Sequence, residues 1–243
     1  MTTDRPKLLV DGDTLAYRAA FSCQDYPVAD AIEKVDDLIY EVIQEVFWDA
    51  DVDGLQDDIK IFLTGKGNFR FEIAVTRPYK GNRKDVEKPQ HLTAIRKHMT
   101  KNWSAIMSAG EEADDLIGIW STRYGPTTIV ASIDKDMLQL PCHHFNPTKK
   151  TWQTVSEFDG LKFFYGQILT GDAADNIQGL HGIGPKKAEV LLAGAGTECD
   201  LYLRVLEAYA GDAERVLENG RLLWLRRVED ELWEAPQCVS DQG

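Results

Sequence analysis

"LTGDAADNIQGLHGIGPKKAEVLL", Leu169 to Leu192, sets two aspartates three residues apart ahead of a glycine-rich turn and a lysine pair. Before it, apolar strand-like runs alternate with segments of helical spacing. After it, the chain turns to short helices separated by glycine-rich turns. The stretch thus marks the junction of two architectures. Its second half matches a helix-hairpin-helix turn: Gly182 and Gly184 permit a tight loop whose N–H groups can approach an anion, and Pro185 starts the next helix. Lys186 and Lys187 add positive charge beside it.

Working outward, "KLLVDGD" reads as a buried strand ending in acid, and "ADAIEKVDDLIYEVIQEVFWDA" carries apolar residues at helical spacing. "IKIFL" is a second strand, and Gly65 to Thr76 reads as loop. "RPYKGNRKDVEKPQHLTAIRKHMTKN" is basic, is broken by Pro78, Gly81 and Pro89, and reads as a mobile connection. "EEADDLIGIWSTRY" is a helix and "TTIVASIDKD" a strand ending in acid. "VSEFDGLKFFYGQIL" is a helix with Ser156 as N-cap, and "RLLWLRR" is the one strand candidate that follows the junction. Strands alternating with helices predict an α/β fold with a mainly parallel sheet flanked by helices. The expected division is 1–171 for this sheet domain and 172–243 for a helical lobe.

The chain has 243 residues, 43% of them hydrophobic, enough for one sizeable core and a smaller lobe. Its net charge is -13, which at first sight argues against a nucleic-acid partner. The distribution is uneven, however. Lys60 to Lys101 holds eleven Lys or Arg against three acids, a local excess of eight positive charges that leaves 21 net negative charges elsewhere. Cys23, Cys142, Cys199 and Cys238 stand far apart without a CxxC pair, so neither a zinc knuckle nor a disulfide framework is expected. With no signal-like N-terminus and no run of about 18 apolar residues, the expected location is the reducing cytoplasm, away from membranes.

The acids fall at element ends: Asp11 and Asp13 after the first strand, Glu111, Glu112, Asp114 and Asp115 at the start of a helix, Asp134 and Asp136 after a later strand, and Asp172 and Asp175 before the glycine-rich turn. Carboxyl ends of parallel strands share one edge, where ligands bind, so Asp11 and Asp134 are expected to converge. Such like charges repel and resist desolvation unless protonated or neutralised by cations. All-oxygen donors favour Mg²⁺ or Mn²⁺ over zinc. Two such ions about 4 Å apart activate water and stabilise a leaving oxygen in phosphodiester cleavage.

Together "VDGD", "YKGNR", "EADD", "SIDKD", "GDAADN" and "GLHGIGPKKA" resemble the flap endonuclease / 5'-3' exonuclease superfamily, and most closely its phage-encoded 5'-3' exonucleases. The resemblance spans nearly the whole chain. It implies a PIN-like sheet domain whose segment 77–102 is arch-like. It also implies one metal position formed by Asp11, Glu112, Asp114 and Asp134, a second formed by Asp136, Asp172 and Asp175, and Asp115 as a further metal candidate. Lys80 and Arg83 would approach the scissile phosphate, with Asp11 and Asp134 as the central catalytic acids. DNA contacts would come from Arg70, Tyr79, Lys80, Arg83, Lys84, Gly182, Gly184, Lys186 and Lys187. The implied cofactor is Mg²⁺, with Mn²⁺ as substitute and K⁺ at the hairpin. The implied partner of a monomer is duplex DNA with 5' ends, nicks or flaps, or an RNA-DNA hybrid. One departure stands out: many members carry an aspartate after the second strand, where this chain has Thr64 and Gly65. That departure keeps open a noncatalytic DNA-end-binding protein of the same fold.

Overall fold

A computed structural model describes residues 5–48, 52–55, 57–83 and 87–238. Along the chain run β1 (Leu8–Asp11), α1 (Gly12–Ser22), α2 (Val28–Val46), β2 (Ile59–Lys66), α3 (Arg70–Ile73), α4 (Leu92–Asn102), β3 (Ile106–Ala109) and α5 (Ala113–Tyr124). Then follow β4 (Ile129–Ala131), β5 (His143–Asn146), β6 (Thr151–Thr154), α6 (Glu157–Thr170), β7 (Gly171–Asp172), β8 (Ile177–Gln178), α7 (Pro185–Leu191), α8 (Glu198–Ala208) and α9 (Ala213–Leu223). Two compact units emerge, described residues 5–68 with 87–155, and 69–83 with 156–238.

The first unit is built on a six-stranded sheet of order β3-β2-β1-β4-β5-β6, parallel throughout except for β6. All four residues of β1 are buried, as expected of a central parallel strand covered on both faces. Strand order reverses between β1 and β4, and the carboxyl ends of those two strands frame the crevice that such a reversal opens. In α2 the residues Ala31, Val35, Leu38, Ile39, Val42 and Ile43 form one buried stripe against this core. The expected mobile connection is partly ordered: Leu92, Ile95 and Met99 of α4 enter the same core, at the i, i+3, i+7 spacing of a helix face. That spacing was hidden in the sequence by the basic residues between them.

The second unit is mostly helical. Ser156 caps α6 by accepting from the Asp159 N–H at 3.1 Å, as the sequence predicts. Phe164, Tyr165, Ile168 and Leu169 of that helix form the centre of a core shared with α8, α9 and Trp233. For this reason the compact unit begins at Ser156 rather than at Asp172, and it takes in the YKGNR segment, where Tyr79 joins the same core. Arg221–Leu223 close α9 and the following residues run on without strand pairing, so the strand expected in "RLLWLRR" is absent. The cysteine expectation also needs correction. Cys199 and Cys238 form a disulfide, because the C-terminal segment returns to α8 and brings their Cα atoms to 5.5 Å. Among the described residues no helix is long and apolar enough to cross a membrane.

Candidate active site

In the first unit the acids gather where the strand order reverses. Asp11 is both the last residue of β1 and the N-cap of α1, and its carboxylate accepts from the Thr14 N–H at 3.1 Å and from the Thr14 hydroxyl. Ser132, just past β4, donates its hydroxyl to Asp11 Oδ2 at 2.7 Å and accepts from the Asp134 N–H at 3.0 Å. One hydroxyl therefore ties together the two strand ends that sequence reasoning expected to converge. Asp134 then caps a 3-10 turn, Lys135–Gln139, by accepting from the Asp136 N–H at 2.9 Å. Asp136 follows in that turn, its carboxylate 4.0 Å from the Lys135 ammonium.

Glu112 stands at the N-cap of α5 and shares a capping box with Asp115, whose Oδ2 accepts from the Glu112 N–H at 3.1 Å. Asp115 is fully buried, and this capping bond shapes the start of α5. Asp114 is the electrostatic focus. Burial, then the charges of Asp11, Glu112, Asp134 and Asp115, hold its carboxyl well above the ordinary aspartate value. Asp11 is raised in the same direction, mainly by burial, against the opposing effect of its bonds from Ser132 and Thr14. A donor set of four mutually repelling carboxylates suits a hard divalent cation. As their side chains are placed, no three His, Cys, Asp or Glu among the described residues stand close enough together to hold a metal ion.

The second strand runs on to Lys66, so Thr64 and Gly65 lie within it rather than in the loop expected from Gly65, and the structure shows what occupies these positions instead of an acid. A side chain at Gly65 would place its Cβ 1.8 Å from the Ser108 carbonyl oxygen, so only glycine fits there. Thr64 is fully engaged: its N–H donates to Asp13 Oδ2 at 2.8 Å, its hydroxyl accepts from the Ala113 N–H at 3.0 Å, and its carbonyl accepts from Arg96. Arg96 also pairs with Asp13 Oδ1.

In the second unit the YKGNR motif is locked to the GDAADN turn. Asp172 Oδ1 accepts from the N–H groups of Ala174 at 2.7 Å and Asp175 at 3.3 Å, shaping the turn. Asp175 receives the Tyr79 hydroxyl at 2.7 Å and the Arg83 guanidinium at 2.8 Å, with the Lys80 ammonium at 3.8 Å. Backbone and side-chain bonds run alongside, from Lys80 N–H to Asp175 O, from Asn82 to Ala173 O and from Arg83 Nε to Ala174 O, each at 2.9 Å. Acid and base expected to act separately are thus one interlocked piece. Tyr79 is buried with its hydroxyl committed to Asp175, so it anchors this piece and is not a surface for stacking DNA bases. Arg70 is likewise corrected: it is 2% exposed and donates to the carbonyls of Leu222 and Trp224 at 2.8 Å, holding α3 to the end of α9. Lys84 lies outside the described residues.

The glycine-rich turn is exposed. Gly182 has φ +73, a conformation that favours glycine, and a Cβ at Gly182 or Gly184 would meet nothing within 4 Å. Lys187 reaches back to the Gly182 carbonyl at 2.8 Å, while Lys186 projects from the exposed first turn of α7. Sequence reasoning missed Thr14, Ser132 and Arg96. For the first two the signal was a hydroxyl residue within three positions of a strand-end aspartate; for Arg96 no local signal existed.

The family described as 5'-3' exonuclease, N-terminal resolvase-like domain, matches residues 6–162. The 5'-3' exonuclease of Mycoplasma genitalium is 30% identical over 224 residues, covering 80% of this chain and 74% of that protein. Flap endonuclease Xni of Shewanella piezotolerans is 29% identical over 62% of this chain, which spans 64% of that relative's length. Among solved structures, the D15 protein of T5, co-crystallized with metal ions, superposes with a TM-score of 0.67 at 19% identity over 90% of this chain and 89% of the other. The fold is that of the T5 D15 protein.

Proposed function

This chain belongs to the 5'-3' exonuclease family, and from that premise we propose that it is a Mg²⁺-dependent nuclease that hydrolyses phosphodiester bonds at 5' ends or flaps of duplex DNA. The observation that carries the reading is the meeting of acids at the strand-order reversal, where Ser132 joins Asp11 to Asp134 and α5 opens with Glu112 and Asp114. Such a carboxylate array is costly unless a cation offsets it. When bound there, Mg²⁺, or Mn²⁺ in its place, supplies Lewis acidity and a water of lowered pKa. Asp11, Glu112, Asp114 and Asp134 are the residues that would hold one ion; for a second ion the candidates are Asp136 in the first unit and Asp172 and Asp175 in the second.

The chain's own groups then do the following. Ser132 and Thr14 fix the Asp11 carboxylate in one orientation. Asp175 presents Lys80 and Arg83 as fixed cations suited to a phosphate whose charge grows during cleavage. The exposed turn at Gly182 and Gly184, with open space around both glycines and Lys186 beside them, would take a duplex phosphate in the manner of a helix-hairpin-helix, and K⁺ is the proposed monovalent cation of that turn. Duplex DNA is the proposed partner of a monomer, with RNA-DNA hybrids as a second substrate.

The test is digestion of 5'-labelled flap, blunt and nicked duplexes in Mg²⁺, Mn²⁺ or EDTA. Metal-dependent release of 5'-phosphorylated products is expected, and the product lengths separate exonuclease from flap cutting. End binding without cleavage in either metal would replace this reading with the noncatalytic one, for which Thr64 and Gly65 are the specific motive.

A further inference from the structure

Arg96 of α4 reaches three other elements of the first unit. Its guanidinium pairs with Asp13 Oδ1 on α1 and donates to the Thr64 carbonyl on β2, with Met107 Sδ of β3 at 3.8 Å. Asp13 and Thr64 are themselves joined, Thr64 N–H to Asp13 Oδ2 at 2.8 Å, so the three residues close a ring of hydrogen bonds. The ring continues to the acids at both ends. Asp13 stands two residues from Asp11, and the Thr64 hydroxyl accepts from Ala113 N–H, the first residue of α5, flanked by Glu112 and Asp114. Both Arg96 and Asp13 keep only 20% of their side-chain surface exposed, so solvent cannot readily replace the partners.

We infer that Arg96 is a positioning residue for the carboxylate array: its fork fixes Asp13 and Thr64, and through them the end of β1 and the start of α5 from which Asp11, Glu112 and Asp114 project. The planar guanidinium matters because it reaches a carboxylate and a carbonyl at once, which a lysine ammonium on a flexible stem does not reproduce. The ring also commits Asp13 to structure, which leaves it out of the metal set. This inference rests on the reading that the acids hold a divalent cation.

The experiment measures Mn²⁺ binding by calorimetry and single-turnover cleavage for the wild type, Arg96→Ala, Arg96→Lys, Asp13→Asn and the exposed control Lys97→Ala, with thermal melts of each. Loss of an outer support of a metal site costs about ten- to hundredfold in metal affinity or activity. The expected result is a loss of that size in Arg96→Ala and in Arg96→Lys, a smaller one in Asp13→Asn, which keeps an acceptor for Thr64, and none in Lys97→Ala. Should Arg96→Ala fail to fold, Arg96→Lys and Asp13→Asn carry the test. Full rescue by lysine would reduce the role to charge and overturn the inference. So would tighter Mn²⁺ binding in Arg96→Ala, or a lowered melting temperature with affinity and rate unchanged. A wild type that binds no Mn²⁺ would remove the reading of the acids themselves, a result distinct from any of these.

Discussion

Replacing Ser132 by alanine tests whether the two strand ends are tied as described. The hydroxyl donates to Asp11 Oδ2 at 2.7 Å and accepts from Asp134 N–H at 3.0 Å. A hydrogen bond to an ionised carboxylate contributes about 1.5–3 kcal/mol. Ser132 is only half-buried, so water can partly restore the bond, and the lower figure of about 1.5 kcal/mol is the better expectation. The two bonds from Thr14 remain and keep the carboxylate in place. Because the Ser132 bond favours the charged form of Asp11, its loss pushes that carboxyl further up and lets a proton compete more strongly with a cation, while the carboxylate loses a bond that orients it. If all of that difference falls on the cation-bound state, about 1.5 kcal/mol corresponds to about a tenfold weaker divalent affinity, which is the upper end of the expected effect. Calorimetric Mn²⁺ titration of the wild type, Ser132→Ala and Ser132→Thr at one pH gives the comparison, the threonine retaining a hydroxyl. Equal affinity in wild type and alanine variant would refute the reasoning.

Three further outcomes follow from the same structure. Asp114, and Asp11 with it, hold protons more tightly in the folded than in the unfolded state, so they stabilise the metal-free protein below the ordinary aspartate value of 3.8 and lose that contribution as pH rises through their raised values. In EDTA, Asp114→Asn should therefore melt higher than the wild type at neutral pH, the gap closing on acidification or with Mg²⁺; a lower melting point for the variant at neutral pH would contradict this. Affinity for duplex ends, measured by fluorescence anisotropy, should rise when EDTA is replaced by Ca²⁺, because the cation offsets the acids facing a phosphate backbone; unchanged affinity would count against it. Breaking the Cys199–Cys238 link with Cys238→Ser reopens a loop of sequence separation 39 and should cost about 4 kcal/mol on the chain-entropy account. Urea unfolding of the oxidised wild type and the variant checks it, and coincident midpoints would deny the disulfide a stabilising role.

Much of this was readable in the sequence because it is local. Strand-end acids at Asp11 and Asp134, the α5 start at Glu112 and the Ser156 cap follow from patterns a few residues long, and the parallel sheet follows from their alternation with helices. What was missed depends on contacts between segments distant in sequence. Arg70 looks like any loop arginine until Leu222 and Trp224 bring their carbonyls to it. Tyr79 reads as an exposed aromatic beside basic residues, yet Asp175, 96 positions away, takes its hydroxyl. The helix α4 was concealed because three apolar residues suffice to seat it while the rest of its surface stays polar. Cys199 and Cys238 meet only because the last described segment folds back.

The central claim is that the carboxylates at the reversal of strand order hold the cation that cleavage requires. Single-turnover cleavage of a 5'-flap duplex across a Mg²⁺ titration, run on the wild type and Asp134→Ala beside calorimetric Mg²⁺ binding, addresses it most directly. Saturable, Mg²⁺-dependent cleavage is expected of the wild type, and loss of both tight binding and cleavage of the variant. Cleavage by Asp134→Ala at the wild-type rate and Mg²⁺ dependence would contradict it.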